Sequence, residues 1–433
     1  MRSRRNIFED IDWITVLIYA LLAFFGWVCI YSATYSDANI GLGLTETNHG
    51  KQMLFMIISS IVAIAILFLD HRFFETLAYG VYGLGLTLLL LVLVFGSEIK
   101  GAQSWFVMGP ISFQPSEIAK YGTALALAKF ISANHNTFNT LQTRLKATAI
   151  IGIPAALIML QPDVGSMLVF TALSIVLYRE GLSGWFFVLG FIAIIIFISA
   201  LFLKQYEWVI FGTLIKGKVA FITFMVLLSS FSYYVFRKAK GSLLIISGAL
   251  TAMVGFFLSV DYVFDNVLKI HHQNRINELL GIVSDPKGAG YNVHQSMIAF
   301  GSGGFSGRGF LEGTQTQLKY VPEQFTDFIF STLGEEWGFL GTFLVITLFV
   351  VLMARIVWLS EKQRSIFTRM YGYSVASIFF IHFAINIGMT IGLAPVIGIP
   401  LPFFSYGGSS LLSFTLLLFT FIKLDSERKF VLR

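Results

Sequence analysis

Apolar residues come in long, nearly unbroken runs along this chain, and polar residues are confined to the gaps between them. A helix that crosses a bilayer needs about 20 mostly apolar residues. Runs of this kind lie near 13–34, 52–69, 76–95, 115–133, 146–161, 163–178, 184–203, 213–236, 242–262, 326–354, 369–391 and 408–423. They predict an all-α polytopic membrane protein with about twelve transmembrane helices. The fifth and sixth runs are short. They meet at Gln161-Pro162-Asp163, which suits a tight turn between two crossings.

Composition points the same way. The 433 residues are 56% hydrophobic and only 12% charged, whereas about a quarter of a soluble chain is charged. Mean hydropathy is +0.77. The net charge of +6 does not indicate nucleic acid, because the bases lie between apolar runs and form no patch with aromatics. The single cysteine, Cys29, excludes an intrachain disulfide and a cysteine metal cluster.

Lysine and arginine bias in short loops sets orientation. Arg2, Arg4 and Arg5, then Arg144 and Lys146, Arg237-Lys238-Lys240, Arg355 through Arg369, and Lys423 to Arg433 fall on one side if the spans alternate. Both termini are expected in the cytoplasm. The first span is too long for a signal-peptide core and is expected to be retained. Four polar stretches are then outside: 96–114, the Pro162-Asp163 turn, 263–325 and 395–408. The third, about 60 residues, is too long to be a passive connector. It holds a helix-compatible piece from Val293 to Phe300 and aromatics at Tyr291, Phe305, Phe310, Tyr320 and Phe325, so it is expected to be ordered on the helix ends. No repeat, linker or second soluble domain is visible, and 1–433 reads as a single membrane domain.

Charged and polar groups inside spans cost free energy and mark candidate chemistry. Asp285 precedes Pro286 and the glycines at 288 and 290. An Asp-Pro pair can simply start a turn, but Lys287, His294, Gln295, Ser296 and Arg308 surround it and favour a site. Glycines at 301, 303, 304, 307 and 309 lack the spacing and the lysine of a nucleotide loop. Glu117 and Lys120 have the i,i+3 spacing that puts them on one helix face. They form either a structural ion pair or an inward-facing pair lining a polar cavity. Asp163 is a cavity residue or a helix cap. Glu335 and Glu336 are expected about ten residues into a span beginning near Thr326, roughly 15 Å along it. At least one of them faces the protein interior, and Asp327 lies nearer water. His382 and Asn386, i,i+4 on the next span, read as packing residues or as cavity residues. The prolines and glycines of "LAPVIGIPLPFFSYGGSS" break helix at membrane depth, which is tolerated only inside protein or against water.

Five stretches, "FQPSEIAK", "LQPDVGSM", "SDPKGAGYNVHQSMIAFGSGGFSGRG", "TDFIFSTLGEEWGFLG" and "GLAPVIGIPLPFFSYGGSS", together resemble the SEDS family (shape, elongation, division and sporulation) of bacterial peptidoglycan glycosyltransferases. The segment "GTQTQLKYVPEQFTDFIF" is closer to the RodA, cell-elongation branch than to the FtsW branch. The resemblance covers about residues 100–425. The family pattern has about ten spans, so residues 205–262 read as an inserted helix pair. A further Asp-Pro that family members often carry upstream is replaced here by Gly281-Ile282.

The resemblance implies a multi-pass protein of the bacterial cytoplasmic membrane. Its active site would be extracytoplasmic and would polymerise lipid II into glycan strands. Asp285 would be the general base that takes a proton from the acceptor sugar hydroxyl. Glu117, Lys120, Asp163, Lys287, Arg308, Lys319 and Ser405 would bind substrate, with cations facing the polyprenyl diphosphate leaving group. Glu335, Glu336, Asp327, His382 and Asn386 would line or support the cavity. A divalent cation, Mg2+ or Mn2+, is expected, with Glu117 a possible ligand. Expected partners are a class B penicillin-binding protein and other elongation-complex membrane proteins. Two rival readings are a flippase for the same lipid and a non-catalytic scaffold for the transpeptidase.

Overall fold

In a computed structural model, the structure describes residues 10–35, 43, 45–99, 101–109, 111–203, 207–210, 213–266, 273, 277 and 290–430. Fifteen helices account for most of it: α1 (Trp13–Thr34), α2 (Asn48–Phe68), α3 (His71–Phe95), α4 (Pro115–Ala133), α5 (Leu141–Met159), α6 (Val164–Thr171), α7 (Ser174–Arg179), α8 (Trp185–Leu203), α9 (Gly217–Phe236), α10 (Ser242–Asn266), α11 (Tyr291–Gly303), α12 (Thr314–Gln317), α13 (Ile329–Glu361), α14 (Ile366–Thr390) and α15 (Gly408–Phe430). Among the described residues, nine are long and apolar enough to cross a membrane: α1, α2, α3, α8, α9, α10, α13, α14 and α15. The protein is an all-α, multi-pass membrane protein. The other three predicted crossings fall on α4, α5 and the short apolar α6–α7 pair.

The chain divides into two compact units, residues 1–182 with 292–433, and residues 183–291. At the centre of the first is α4, whose side chains are buried along most of its length. A helix wrapped by protein does not need an apolar surface, and this one carries Glu117 and Lys120 inward. Its neighbours are α3, α5, α14 and α15. The approach to α3 is close because glycines face it. A Cβ at Gly122 would stand 2.8 Å from the Val81 carbonyl oxygen, and one at Gly85 would stand 3.0 Å from the Ala119 Cα. Large side chains such as Phe330, Phe349, Tyr371, Phe379, Phe414 and Phe421 fill the space among α13, α14 and α15.

Sequence periodicity did not announce two small sheets. Residues between α3 and α4 form an antiparallel sheet of β1 (Ser97–Ile99), β2 (Ala102–Met108) and β3 (Ile111–Phe113), with Glu98 opposite Gln103 and Val107 opposite Ser112. In the second unit, β4 (Glu207–Ile210) pairs with β5 (Thr213–Lys216), Glu207 opposite Lys216. That unit packs α8, α9 and α10 around its own core of Ile196, Leu201, Met225, Phe257, Val260 and Phe264.

One expectation is corrected. The span carrying Glu335 and Glu336 begins at Ile329 rather than near Thr326, and it breaks at Gly338, where φ is 62° and ψ is −155°. The two acids therefore lie in a short segment before a kink, not partway along a continuous helix. The residues after α11 cause the break. Phe339 N donates to Gly304 O at 3.0 Å and Leu340 N to Phe305 O at 3.1 Å. In return, Arg308 N donates to Glu335 O and Gly309 N to Glu336 O, each at 3.0 Å. Backbone groups that an unbroken helix would pair internally are paired with a loop instead.

Candidate functional site

Proline at the first position of α4 costs no hydrogen bond, because that amide has no helical partner. Two residues further on, Glu117 enters the interior with Lys120 one turn later. Lys120 Nζ donates to Glu117 Oε1 at 2.9 Å, and both side chains are buried, at 1% and 3% exposure. A second partner comes from α14: His382 Nε2 lies 3.1 Å from Lys120 Nζ. The Phe414 ring of α15 sits 4.9 Å from the ammonium, a cation–π contact. The other carboxylate oxygen, Glu117 Oε2, is buried without a hydrogen-bond partner. The pair is thus an inward-facing charge site.

Next to it, Asp163 caps α6. Its Oδ1 accepts from Ser166 N at 2.9 Å and its Oδ2 from Ser166 Oγ at 2.8 Å. Gln114, immediately before α4, donates through Nε2 to Asp163 Oδ2 at 3.1 Å. Ser116 Oγ and Ser166 Oγ are 3.4 Å apart. The N-termini of α4 and α6 therefore meet, and two helix N-termini favour negative charge nearby. Sequence reasoning did not single out Gln114 or Ser166. The only signal for Gln114 was its place just ahead of the helix-starting proline.

The loop at residues 391–407 runs along one face of α14. Asn386 Nδ2 donates to Ile399 O at 2.7 Å and to Asp327 O at 2.9 Å. His382 Nδ1 is 2.9 Å from Pro400 O. Asp327 thus meets the network through its backbone. Ser405 is buried in the loop's own turn, where its Oγ accepts from Leu401 N at 2.8 Å.

The remaining expected residues lie apart from this cluster. Glu335 accepts from Gln315 N, Thr316 N and Thr316 Oγ1, each at 2.8 Å, and so caps the one-turn α12. Exposed Arg308 donates to Ser302 O at 3.2 Å and to Thr314 Oγ1 at 2.9 Å, which folds the same loop. Glu336 accepts from Ser32 Oγ of α1 and from Leu311 N. Lys319 is exposed and lines a separate cavity of about 310 Å3 with Thr34, Asn48, Glu323 and Gln324. Asp285 and Lys287 lie outside the described residues. Among the described residues no three His, Cys, Asp or Glu side chains converge as a metal site. Glu117, the named candidate ligand, has Oε1 on the Lys120 ammonium and Oε2 without a hydrogen-bond partner.

A multi-pass bundle with a buried acid–ammonium–imidazole network defines a membrane protein with a polar core. The sequence then places it more narrowly. The chain matches the FtsW/RodA/SpoVE cell cycle protein family over residues 12–216 and 211–429, and it belongs to that family. The two matched segments overlap at 211–216, and the described part of that overlap, 213–216, is β5, just before α9. It is similar to the peptidoglycan glycosyltransferase MrdB of Escherichia coli strain K12, 32% identical over 397 residues, covering 92% of this chain and 88% of that one. It is also similar to the peptidoglycan glycosyltransferase RodA of Treponema pallidum strain Nichols, 29% identical, covering 93% and 94%. Among solved structures, a chain from work on coordination of polymerization and crosslinking by a peptidoglycan synthase complex superposes with TM-score 0.64. It is 27% identical, with 96% and 98% covered. The rod shape determining protein RodA of Thermus thermophilus shares the fold, with TM-score 0.56, 24% identity and 96% and 97% covered.

Proposed function

We propose that this chain is a peptidoglycan glycosyltransferase that polymerises lipid II for cell elongation. The observation that carries this is the buried Glu117–Lys120 pair beneath the joined N-termini of α4 and α6. It occurs in a family whose relatives MrdB and RodA are named peptidoglycan glycosyltransferases. In the reaction the 4-hydroxyl of one sugar attacks the anomeric carbon of another, and polyprenyl diphosphate leaves. A diphosphate needs positive potential where its charge develops more than it needs an acid. Lys120 and the two helix N-termini are suited to that work. The hydroxyl needs a base, and Asp285 is assigned that role from its sequence context. Lys287, Arg308 and Lys319 are assigned to the anionic headgroup and Ser405 to shaping the loop beside it. A divalent cation would stabilise the same diphosphate charge.

The active site is assigned to the extracytoplasmic face of the bacterial cytoplasmic membrane, with both termini in the cytoplasm, from the lysine and arginine bias of the loops. The α9–α10 pair is assigned as an insertion into a ten-helix core within one membrane domain. The partner assigned is a class B penicillin-binding protein, together with other elongation-complex membrane proteins. The solved complex that coordinates polymerization with crosslinking supports that pairing.

The test is polymer formation by the purified protein, with and without its transpeptidase, from labelled lipid II, with divalent cation added or chelated. Wild type is expected to give glycan polymer and folded Asp285→Asn none. Equal polymer from both would remove Asp285 as base. No polymer from wild type with the partner present would favour the flippase or scaffold reading.

A further inference from the structure

His382 is 2% exposed on α14, with Asn386 fully buried one turn later. Its two ring nitrogens have different partners, and those partners fix the proton. Pro400 O, 2.9 Å from Nδ1, can only accept, so Nδ1 carries the hydrogen. Nε2 faces the Lys120 ammonium at 3.1 Å, which can only donate, so Nε2 presents its lone pair. The ring is therefore neutral, in one tautomer, between a backbone carbonyl and an ammonium. Phe414 packs edge-on to the imidazole, with centroids 4.8 Å apart, and also faces Lys120. Asn386 holds the neighbouring carbonyl, Ile399 O, at 2.7 Å, so the loop is pinned at two successive residues.

We propose that His382 is a positioning residue for Lys120, holding its ammonium in place by a chain that runs from the Pro400 carbonyl through the imidazole. The inference rests on reading Glu117 and Lys120 as part of the polymerase machinery. A lysine side chain is long and flexible, and a single contact to a carboxylate one turn away leaves it several rotamers. Glu117 Oε2 is buried without a partner. An ammonium released from Nε2 would be free to slide onto that oxygen and close a self-satisfied ion pair. Closed in that way, the pair would present less positive charge to the charge that develops on the departing diphosphate. The imidazole lone pair opposes this by holding Nζ at a fixed point between two acceptors. Because the other ring nitrogen is tied to Pro400, the position of the ammonium is coupled to the 391–407 loop.

The test compares wild type, Lys120→Ala, His382→Leu and His382→Gln, each checked for folding by size exclusion and thermal unfolding in detergent. Initial rates of polymer formation are measured against lipid II concentration. His382→Leu removes both hydrogen bonds and is expected to lower kcat by on the order of 10- to 100-fold. KM is expected to stay within about two-fold, since bulk substrate binding is untouched. His382→Gln can accept from Lys120 through its amide oxygen and donate to Pro400 O through its nitrogen, and is expected to recover most of kcat. A purely structural histidine predicts lowered unfolding temperature without that kcat-specific loss or the glutamine rescue. Folded His382→Leu with wild-type kcat, or folded His382→Gln as slow as His382→Leu, would overturn the proposal. If His382→Leu does not fold, His382→Gln decides alone: near wild-type kcat supports it, and a ten-fold or larger loss overturns it. Wild-type rates from Lys120→Ala would instead overturn the reading on which the proposal rests.

Discussion

Two buried acids in this protein have opposite surroundings. Glu335 has both oxygens committed: two backbone amides and the Thr316 hydroxyl are all within 2.8 Å. Glu117 has one oxygen on an ammonium and one with no partner. The first arrangement fixes a loop, and the second leaves unspent charge at the centre of the bundle. Glu335→Gln would set an amide NH2 against backbone donors and leave at least one of them unsatisfied. The expected loss is about 1–3 kcal/mol of stability, read as a lowered thermal unfolding midpoint in detergent, with lost activity following from unfolding. Some of these roles could be read locally. Asp163 directly before an apolar run is a capping signal, and it caps α6. Glu117 and Lys120 are three apart and meet as that spacing requires. The contact of Lys120 with His382 spans 262 positions in the chain, and no local pattern encodes it. It exists because α4 and α14 pack together, with Phe414 of α15 against both side chains.

Hydropathy located the long helices well, because a lipid-facing or core-facing helix must be apolar along its whole length. It was silent on the elements whose pairing is with distant backbone. The β1–β3 sheet is three short strands, too short for alternation to stand out. The break in α13 depends on residues 304–309, some thirty positions earlier, donating and accepting across the gap. Gly338 is the position where this is least tolerant. Its φ of 62° with ψ of −155° is open to glycine and closed to side chains. An added Cβ would also run into Gly307 N and stand 2.9 Å from Gly304 O. Gly338→Ala is expected to destabilise by at least about 1–3 kcal/mol, together with faster hydrogen–deuterium exchange at residues 304–309. Gly83→Ala is the control, because nothing lies within 4 Å of its added Cβ and α3 is otherwise helical there. It is expected to unfold at or slightly above the wild-type temperature. Equal effects from both would mean that the break is not held by the loop.

At the scale of the whole molecule, sidedness decides whether the proposed chemistry is possible at all, because sugars polymerised into a wall must be joined outside the cytoplasm. Each crossing flips the side of the next loop, so an inserted pair leaves the later loops where they were, and an inserted single helix would reverse them. The α9–α10 pair is therefore the element on which the sidedness of Asp285 turns. The lone natural cysteine is buried and can be removed as Cys29→Ser to give a blank background. Single cysteines at Glu98 in β1, Lys240 between α9 and α10, and Arg364 between α13 and α14 then report three loops at exposed positions. A membrane-impermeant maleimide applied to intact spheroplasts is expected to label Glu98→Cys fully and to label Lys240→Cys and Arg364→Cys only after the membrane is opened. Glu98 and Arg364 bracket the disputed region: they lie on opposite sides only if the number of crossings between them is odd. Labelling of Arg364→Cys in intact spheroplasts would show an even number, move the 391–407 loop and the residues before α13 to the other side, and exclude extracytoplasmic polymerisation by this arrangement. Labelling of Lys240→Cys alone would place only the inserted pair differently and leave the site where the chemistry needs it.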